Sequence, residues 1–128
     1  MKSKYRKSLS IIMILVILVS HSIIPVSASS DYYESTYNNY DYYCFSEFTT
    51  GSTYGEMGYD GPNRICVEIY LVFRNNLNML YYYSQVTSTA VLSYSYCGID
   101  GGPNETFIFS DYTYTIMPNQ VYFIELDS

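Results

Sequence analysis

The strongest pattern in the chain lies between Arg64 and Arg74, where Ile65, Val67, Ile69, Leu71 and Phe73 occupy every second position. In a pleated strand that alternation puts all five on one face and leaves Cys66, Glu68, Tyr70 and Val72 on the other. Fully burying the five contributes roughly 10 kcal/mol of gross transfer free energy, at about 1.5 to 3 kcal/mol each. The β-branched content and the Asn-rich stop after Arg74 argue against a helix, so the segment is expected to be the core strand of a sheet.

Weaker patterns surround it. Asp41 to Thr50 carries aromatic residues on both parities and reads as an edge strand without a clean inward face. Gly51 to Asn63 holds four of the seven glycines and reads as a long loop or a short irregular hairpin. Asn75 to Asn78 is a tight connection, because asparagine tolerates the left-handed backbone that short hairpin loops demand. Leu80 to Val86 returns as a strand. Ser88 to Tyr96 alternates Ala90, Leu92, Tyr94 and Tyr96 against Thr89, Val91, Ser93 and Ser95, the pattern of a half-solvated strand. Glu105 to Ser110, Tyr112 to Met117 and Gln120 to Leu126 complete the run, with Pro118-Asn119 turning the chain between the last two. Seven strands and no helical window predict an all-β domain over residues 41–128, a small antiparallel β-sandwich with an open β-barrel as the alternative.

The first 28 residues follow another pattern. Lys2, Lys4, Arg6 and Lys7 precede an apolar run from Ile11 to Val19, and Val26-Ser27-Ala28 supplies small residues for cleavage. This is the layout of a secretory signal peptide, and the apolar run is well short of the roughly 20 residues a membrane span needs. Residues 29–40, acidic and rich in tyrosine and asparagine but lacking aliphatic side chains, read as a flexible arm.

Removing the leader changes the charge. Only Arg64 and Arg74 remain against twelve carboxylates, so the formal charge after Ala28 is 2 − 12 = −10. Such a surface repels nucleic acid and anionic lipid. His21, the only histidine, and every lysine also fall within the leader, which removes Ser-His-Asp, Cys-His and Ser-Lys arrangements and imidazole zinc sites from the mature chain. A pair of carboxylates such as Glu68 and Glu125 survives as candidate acid–base chemistry, a pairing that any acidic protein offers. The expectation is therefore a protein that is not an enzyme and carries no cofactor. Asp60, Asn63, Asp100, Asn104 and Glu105 put oxygen donors in glycine-rich loops, but their spacing matches no defined calcium loop, and solvated turns look the same.

Three further features bear on function. Cys44, Cys66 and Cys97 form an odd set for an oxidising compartment, and a Cys66–Cys97 disulfide is expected because each flanks a similar turn. That similarity is an internal echo: Gly58-Tyr59-Asp60-Gly61-Pro62-Asn63 matches Gly98-Ile99-Asp100-Gly101-Gly102-Pro103-Asn104 except for one inserted glycine. It reads either as recurrent turn chemistry or as a duplicated hairpin. Tyrosine, with eighteen copies and no tryptophan, is the most unusual component. It joins a large apolar ring to a hydroxyl at little entropic cost and serves binding surfaces well. Tyr81 and Tyr83, on one face of their strand, are the candidate ligand-binding pair. Together these features suggest a secreted, non-catalytic β-sandwich that binds an extracellular carbohydrate or protein through a tyrosine-rich acidic surface. The alternative is a secreted antagonist, bacteriocin-like or a small toxin. Its negative charge would require a specific receptor rather than an anionic envelope.

Overall fold

Eight strands succeed one another in the computed structural model, which describes residues 28–88 and 94–128. They are β1 (Ala28–Tyr37), β2 (Tyr40–Thr49), β3 (Ser52–Tyr59), β4 (Ile65–Arg74), β5 (Leu80–Ser88), β6 (Tyr94–Asp100), β7 (Thr106–Ile116) and β8 (Asn119–Asp127). All pairings are antiparallel, and they form two four-stranded sheets, β1-β2-β3-β6 and β5-β4-β7-β8. The expected sandwich is the observed architecture, and the two sheets do not close into a barrel. Among the described residues no helix is long and apolar enough to cross a membrane. The expected signal peptide lies outside the described residues apart from Ala28, as do residues 89–93 of the strand expected from Ser88.

The core strand is the one its alternation predicted. Ile65, Val67, Ile69 and Leu71 are buried and Phe73 half-buried, and β4 is an inner strand between β5 and β7. Facing it across the sandwich are Met57 and Tyr59 of β3 and Cys97 of β6, while Tyr42, Cys44 and Phe48 of β2 complete the same core over β7 and β8. Two tyrosines of β7 cross this interior. Tyr112 donates its hydroxyl to Glu47 O at 2.8 Å, and Tyr114 donates to Phe45 O at 2.6 Å. With each phenol proton committed, Thr53 Oγ1 and Ser46 Oγ donate back to Tyr112 and Tyr114 at 2.5 and 2.6 Å. Every polar group these rings carry inward is satisfied, which burial in an apolar layer requires. Burial pushes the Tyr112 phenol up to about 12.

Five expectations are corrected. Asp41 to Thr50 is not an edge: β2 is an inner strand between β1 and β3, with Tyr42, Cys44, Ser46 and Phe48 buried on one face. Residues 29–40 do not form an arm: β1 pairs with β2 at ten positions, from Ala28 opposite Thr49 to Tyr37 opposite Tyr40. An outermost strand needs little aliphatic content, because it is covered mainly on one face and along one side. Here Tyr33 stacks on Tyr122 of β8 at 4.2 Å, and Tyr122 donates to Asp31 Oδ2 at 2.7 Å. The turn that makes it a hairpin is Asn38-Asn39, both at positive φ (52° and 67°).

Gly51 to Asn63 is mostly strand β3, not a loop. Among the described residues no glycine has positive φ, and Gly55 and Gly58 supply space within β3 rather than turns. A Cβ at Gly55 would lie 3.1 Å from the Tyr114 hydroxyl and 3.2 Å from both Tyr112 and Val67, and one at Gly58 would lie 2.2 Å from the Tyr43 ring. Glu105 to Met117 is a single strand with a register shift rather than two. The strand count therefore becomes seven, plus β1 and β3, less one.

The expected Cys66–Cys97 disulfide is the fifth correction: all three cysteines are buried and unpaired. Val67 points inward, so its neighbour Cys66 points to the opposite face of its sheet. Cys97, on the inner face of β6, directs its thiol at Val67 O at 3.8 Å. Burial raises the Cys97 and Cys44 thiols to about 12, which keeps both protonated and unreactive near neutrality.

The echoed segments are not hairpins either. Each carries the chain from one sheet to the other, β3 to β4 and β6 to β7, at opposite ends of the sandwich, because β3 and β6 run antiparallel. Their local turns differ. Glu105 N bonds Gly102 O at 3.1 Å in the second, whereas the first is an open bend. The order of sheets visited around them is nonetheless the same, although β3 is an inner strand and β6 an outermost one. β3-β4-β5 and β6-β7-β8 each run from the β1 sheet to an inner and then an outer strand of the β4 sheet. The pair Tyr54–Gly98 maps onto Gly58–Tyr94 under the same 40-residue offset that relates Tyr54 to Tyr94.

Candidate functional site

Strand alternation sorts the side chains of the β1 sheet into an inner and an outer set, and the outer set is unusual. Rows run across the four strands: Glu34, Tyr43, Gly58, Tyr94, then Tyr32, Phe45, Glu56, Tyr96, then Ser30, Glu47, Tyr54, Gly98. With strands about 4.8 Å apart and rows about 7 Å apart, this is a flat array of rings and carboxylates about 14 Å on a side. Tyr32, Tyr94 and Tyr96 are exposed and Tyr43, Phe45 and Tyr54 half-buried.

The array is ordered by its own hydrogen bonds. Tyr54 and Tyr94 both donate to Glu56 Oε2, at 2.7 and 2.8 Å. Each phenol has one proton, so the 3.0 Å approach between the two hydroxyls follows from sharing an acceptor and is not a third bond. Tyr54 is raised from its usual value, first by burial and then by the bond to Glu56. Tyr43 rises to about 12, by burial and then by the Glu56 charge. All these phenols therefore stay neutral donors near pH 7. On the β1 side, Tyr32 stacks on Tyr43 at 6.0 Å with 20° between planes and donates to Glu34 Oε2 at 3.2 Å. Tyr43 leans into the space left by Gly58, where any Cβ would strike its ring. Between the Tyr32–Tyr43 stack and Tyr94 lies a shallow concavity of ≈ 720 Å³, with Glu34, Asp41 and Asp60 at its margin.

Tyr81 and Tyr83, the pair singled out by sequence, lie elsewhere. They share the inner face of β5 with its cross-strand neighbours Phe73 and Leu71 but remain 43% and 52% exposed, because β5 is the outermost strand. Tyr81 stacks on Phe73 at 5.7 Å. The two tyrosines line one wall of a cleft of ≈ 400 Å³ between the sheets, with Ile99 and Asp100 of β6 opposite. Tyr82 points the other way, is 76% exposed and stacks on Tyr70 at 6.0 Å, so both faces of this strand are wet.

The candidate carboxylates Glu68 and Glu125 share the outer face of the β4 sheet without meeting. Glu68 stands opposite Thr113 and Glu125 opposite Asp111, so β7 separates them by two strand spacings, roughly 10 Å, and they are also offset along the strands. Glu125 neighbours Asp111 instead, and burial, followed by the Glu125 charge, raises the Asp111 carboxyl. The loop oxygens are also dispersed. Asn63 accepts from Tyr59, Glu105 accepts from Gly102 N at 2.8 Å, and the two loops lie at opposite ends of the sandwich. Among the described residues no group of three or more histidine, cysteine or carboxylate side chains is placed to hold a metal.

The array is not legible in the sequence as a unit, because half of its positions lie in the segments expected to be an arm and a loop. A signal was present: Tyr54, Glu56 and Gly58 alternate with Thr53, Gly55, Met57 and Tyr59. Comparison with known protein families, curated proteins and solved structures gives no match to this chain, so its surfaces are read from their geometry alone.

Proposed function

We propose that this protein is a secreted, non-catalytic binding module that takes an extracellular partner on the outer face of the β1 sheet. One observation carries the reading: the Glu56 carboxylate, holding Tyr54 and Tyr94 by their hydroxyls, fixes a set of rings in an otherwise exposed face. Fixed rings lose little entropy when a ligand stacks on them, and flanking carboxylates accept from its hydroxyl or amino groups. That alternation favours a carbohydrate over a protein. With no lysine or histidine after Ala28 and ten net negative charges, the sugar is neutral or amino-bearing rather than anionic. The same residue supply favours binding over catalysis.

The test is a glycan array probed with the purified protein, followed by titration of any hit against Tyr96→Ala and Glu56→Gln. Both variants should lose binding at least tenfold while keeping the parent β-sheet circular dichroism. Retention of glycan affinity in both would remove the array as the site. A blank array together with capture of a protein ligand would replace carbohydrate by protein.

A further inference from the structure

The backbone bonds at the two ends of β4 fix which groups of β5 are free. Asn75 N donates to Met79 O at 3.2 Å and Met117 N donates to Arg64 O at 2.8 Å, so Val67, Ile69, Leu71 and Phe73 bond toward β5, where Thr87, Gln85, Tyr83 and Tyr81 are their partners. In an antiparallel ladder the N–H and C=O of one residue point to the same side, and the side alternates along the strand. Leu80, Tyr82 and Ser84 therefore present their backbone groups away from β4. Among the described residues, the backbone bonds made outside the ladders include none to these three.

This is an open strand edge, and its side chains do nothing to protect it. Leu80, Tyr81, Tyr82 and Tyr83 are all exposed, and Leu80 to Ser88 holds no charged residue and no proline. The other three outermost strands carry carboxylates: Asp31 and Glu34 on β1, Asp100 on β6, Glu125 and Asp127 on β8. Charge on an edge is the usual guard against pairing with another chain, and β5 lacks it. In a chain with ten net negative charges after Ala28, β5 is also the edge where two copies meet with least repulsion.

We propose that Leu80 to Ser84 pairs antiparallel with the same segment of a second copy. The free backbone groups set the register. Leu80, Tyr82 and Ser84 carry the free groups, so the pairing that uses all three places Leu80 opposite Ser84 of the second copy. The two-fold axis then passes beside Tyr82, which faces its own counterpart as a hydrogen-bonded pair and extends the Tyr70–Tyr82 stack across the junction. Two four-stranded sheets become one continuous sheet, and the arrangement closes as a dimer. This pairing leaves the outer face of the β1 sheet untouched, so it stands or falls independently of the ligand-binding reading.

Sedimentation velocity over a concentration series, on the protein in the form its host produces, should show a doubling of mass. Tyr82→Pro should abolish the doubling, because it deletes an N–H that points away from β4 and leaves the β4–β5 ladder intact. Tyr82→Cys gives a second readout that does not depend on how the proline variant folds. Mild oxidation should link two copies through residue 82, where paired Cα atoms stand about 5.5 Å apart, within reach of a disulfide, while Phe123→Cys on β8 should not link. A monomer at every concentration, an open-ended assembly, or a dimer whose Tyr82→Cys form fails to cross-link would each overturn the proposal.

Discussion

Tyr112 and Tyr114 between the sheets, and Tyr54 and Tyr94 on the outer face of the β1 sheet, are the same residue put to opposite uses. The interior pair carries its hydroxyls to backbone carbonyls of the facing sheet and returns nothing to solvent. The outer pair turns its hydroxyls on a carboxylate of its own sheet and leaves its rings available. In both cases the phenol proton decides what the ring can do, because a ring is held in place only where its oxygen has found a partner. Removing the oxygen inside should damage the fold, and removing it outside should damage the surface.

The largest effect should come from deleting an interior ring. Tyr114→Ala removes a fully buried side chain and should cost about 3 to 5 kcal/mol in urea unfolding, enough to unfold a marginal domain of this size. Tyr114→Phe keeps the ring and strips the oxygen, leaving Ser46 Oγ and Phe45 O without their partner, at a cost of about 1 to 3 kcal/mol. If that variant melts with the parent, the interior hydroxyls contribute only shape and the contrast collapses.

A smaller effect is expected on the outer face of the β4 sheet, where Asp111 meets Glu125 instead of hydroxyl donors. Its folded carboxyl is raised above the usual 3.8, so ionisation weakens the native state: stability is fully present below that value and lost as pH rises through the folded pKa. Asp111→Asn should therefore raise the melting temperature at pH 7, with the gain fading as pH falls toward 3.8. A gain that persists unchanged in acid would show that charge was not its cause. The smallest effect on stability belongs to Tyr94→Phe, within about 0.5 kcal/mol of the parent. The same variant should weaken ligand binding by releasing one arm of the Glu56 clasp, which calorimetry on an identified glycan would detect.

Where the sequence was legible, one residue pattern matched one physical demand. The alternation of Ile65 to Phe73 left a single solution, and β4 takes it. Asn78 sits at φ 60° in the connection between β4 and β5, as short asparagine-rich turns require. Legibility failed where a residue type has two uses. The glycines at 55 and 58 look like turn residues, yet their purpose is to admit the rings of Tyr112, Tyr114 and Tyr43, which come from distant positions in the chain. The segment containing Tyr33 and Asp31 lacks aliphatic residues, yet β8 supplies the ring and the hydroxyl that hold it. Similar flanking turns suggested a Cys66–Cys97 bond, but pleating turns the two side chains to different faces of their strands.

By itself, the sequence determined that the chain is built of antiparallel strands without helices, which strand lies at its centre, and that its charge after Ala28 is strongly negative. Those properties follow from local periodicity and from counting, which need no neighbour. The tertiary structure alone decided which tyrosines are inside, which form the outer array, and which strand edge is left unguarded. A tyrosine is amphipathic, so its place depends on whether a partner for its hydroxyl lies across the sheet or beside it. That partner is set by strand register between segments far apart in the chain.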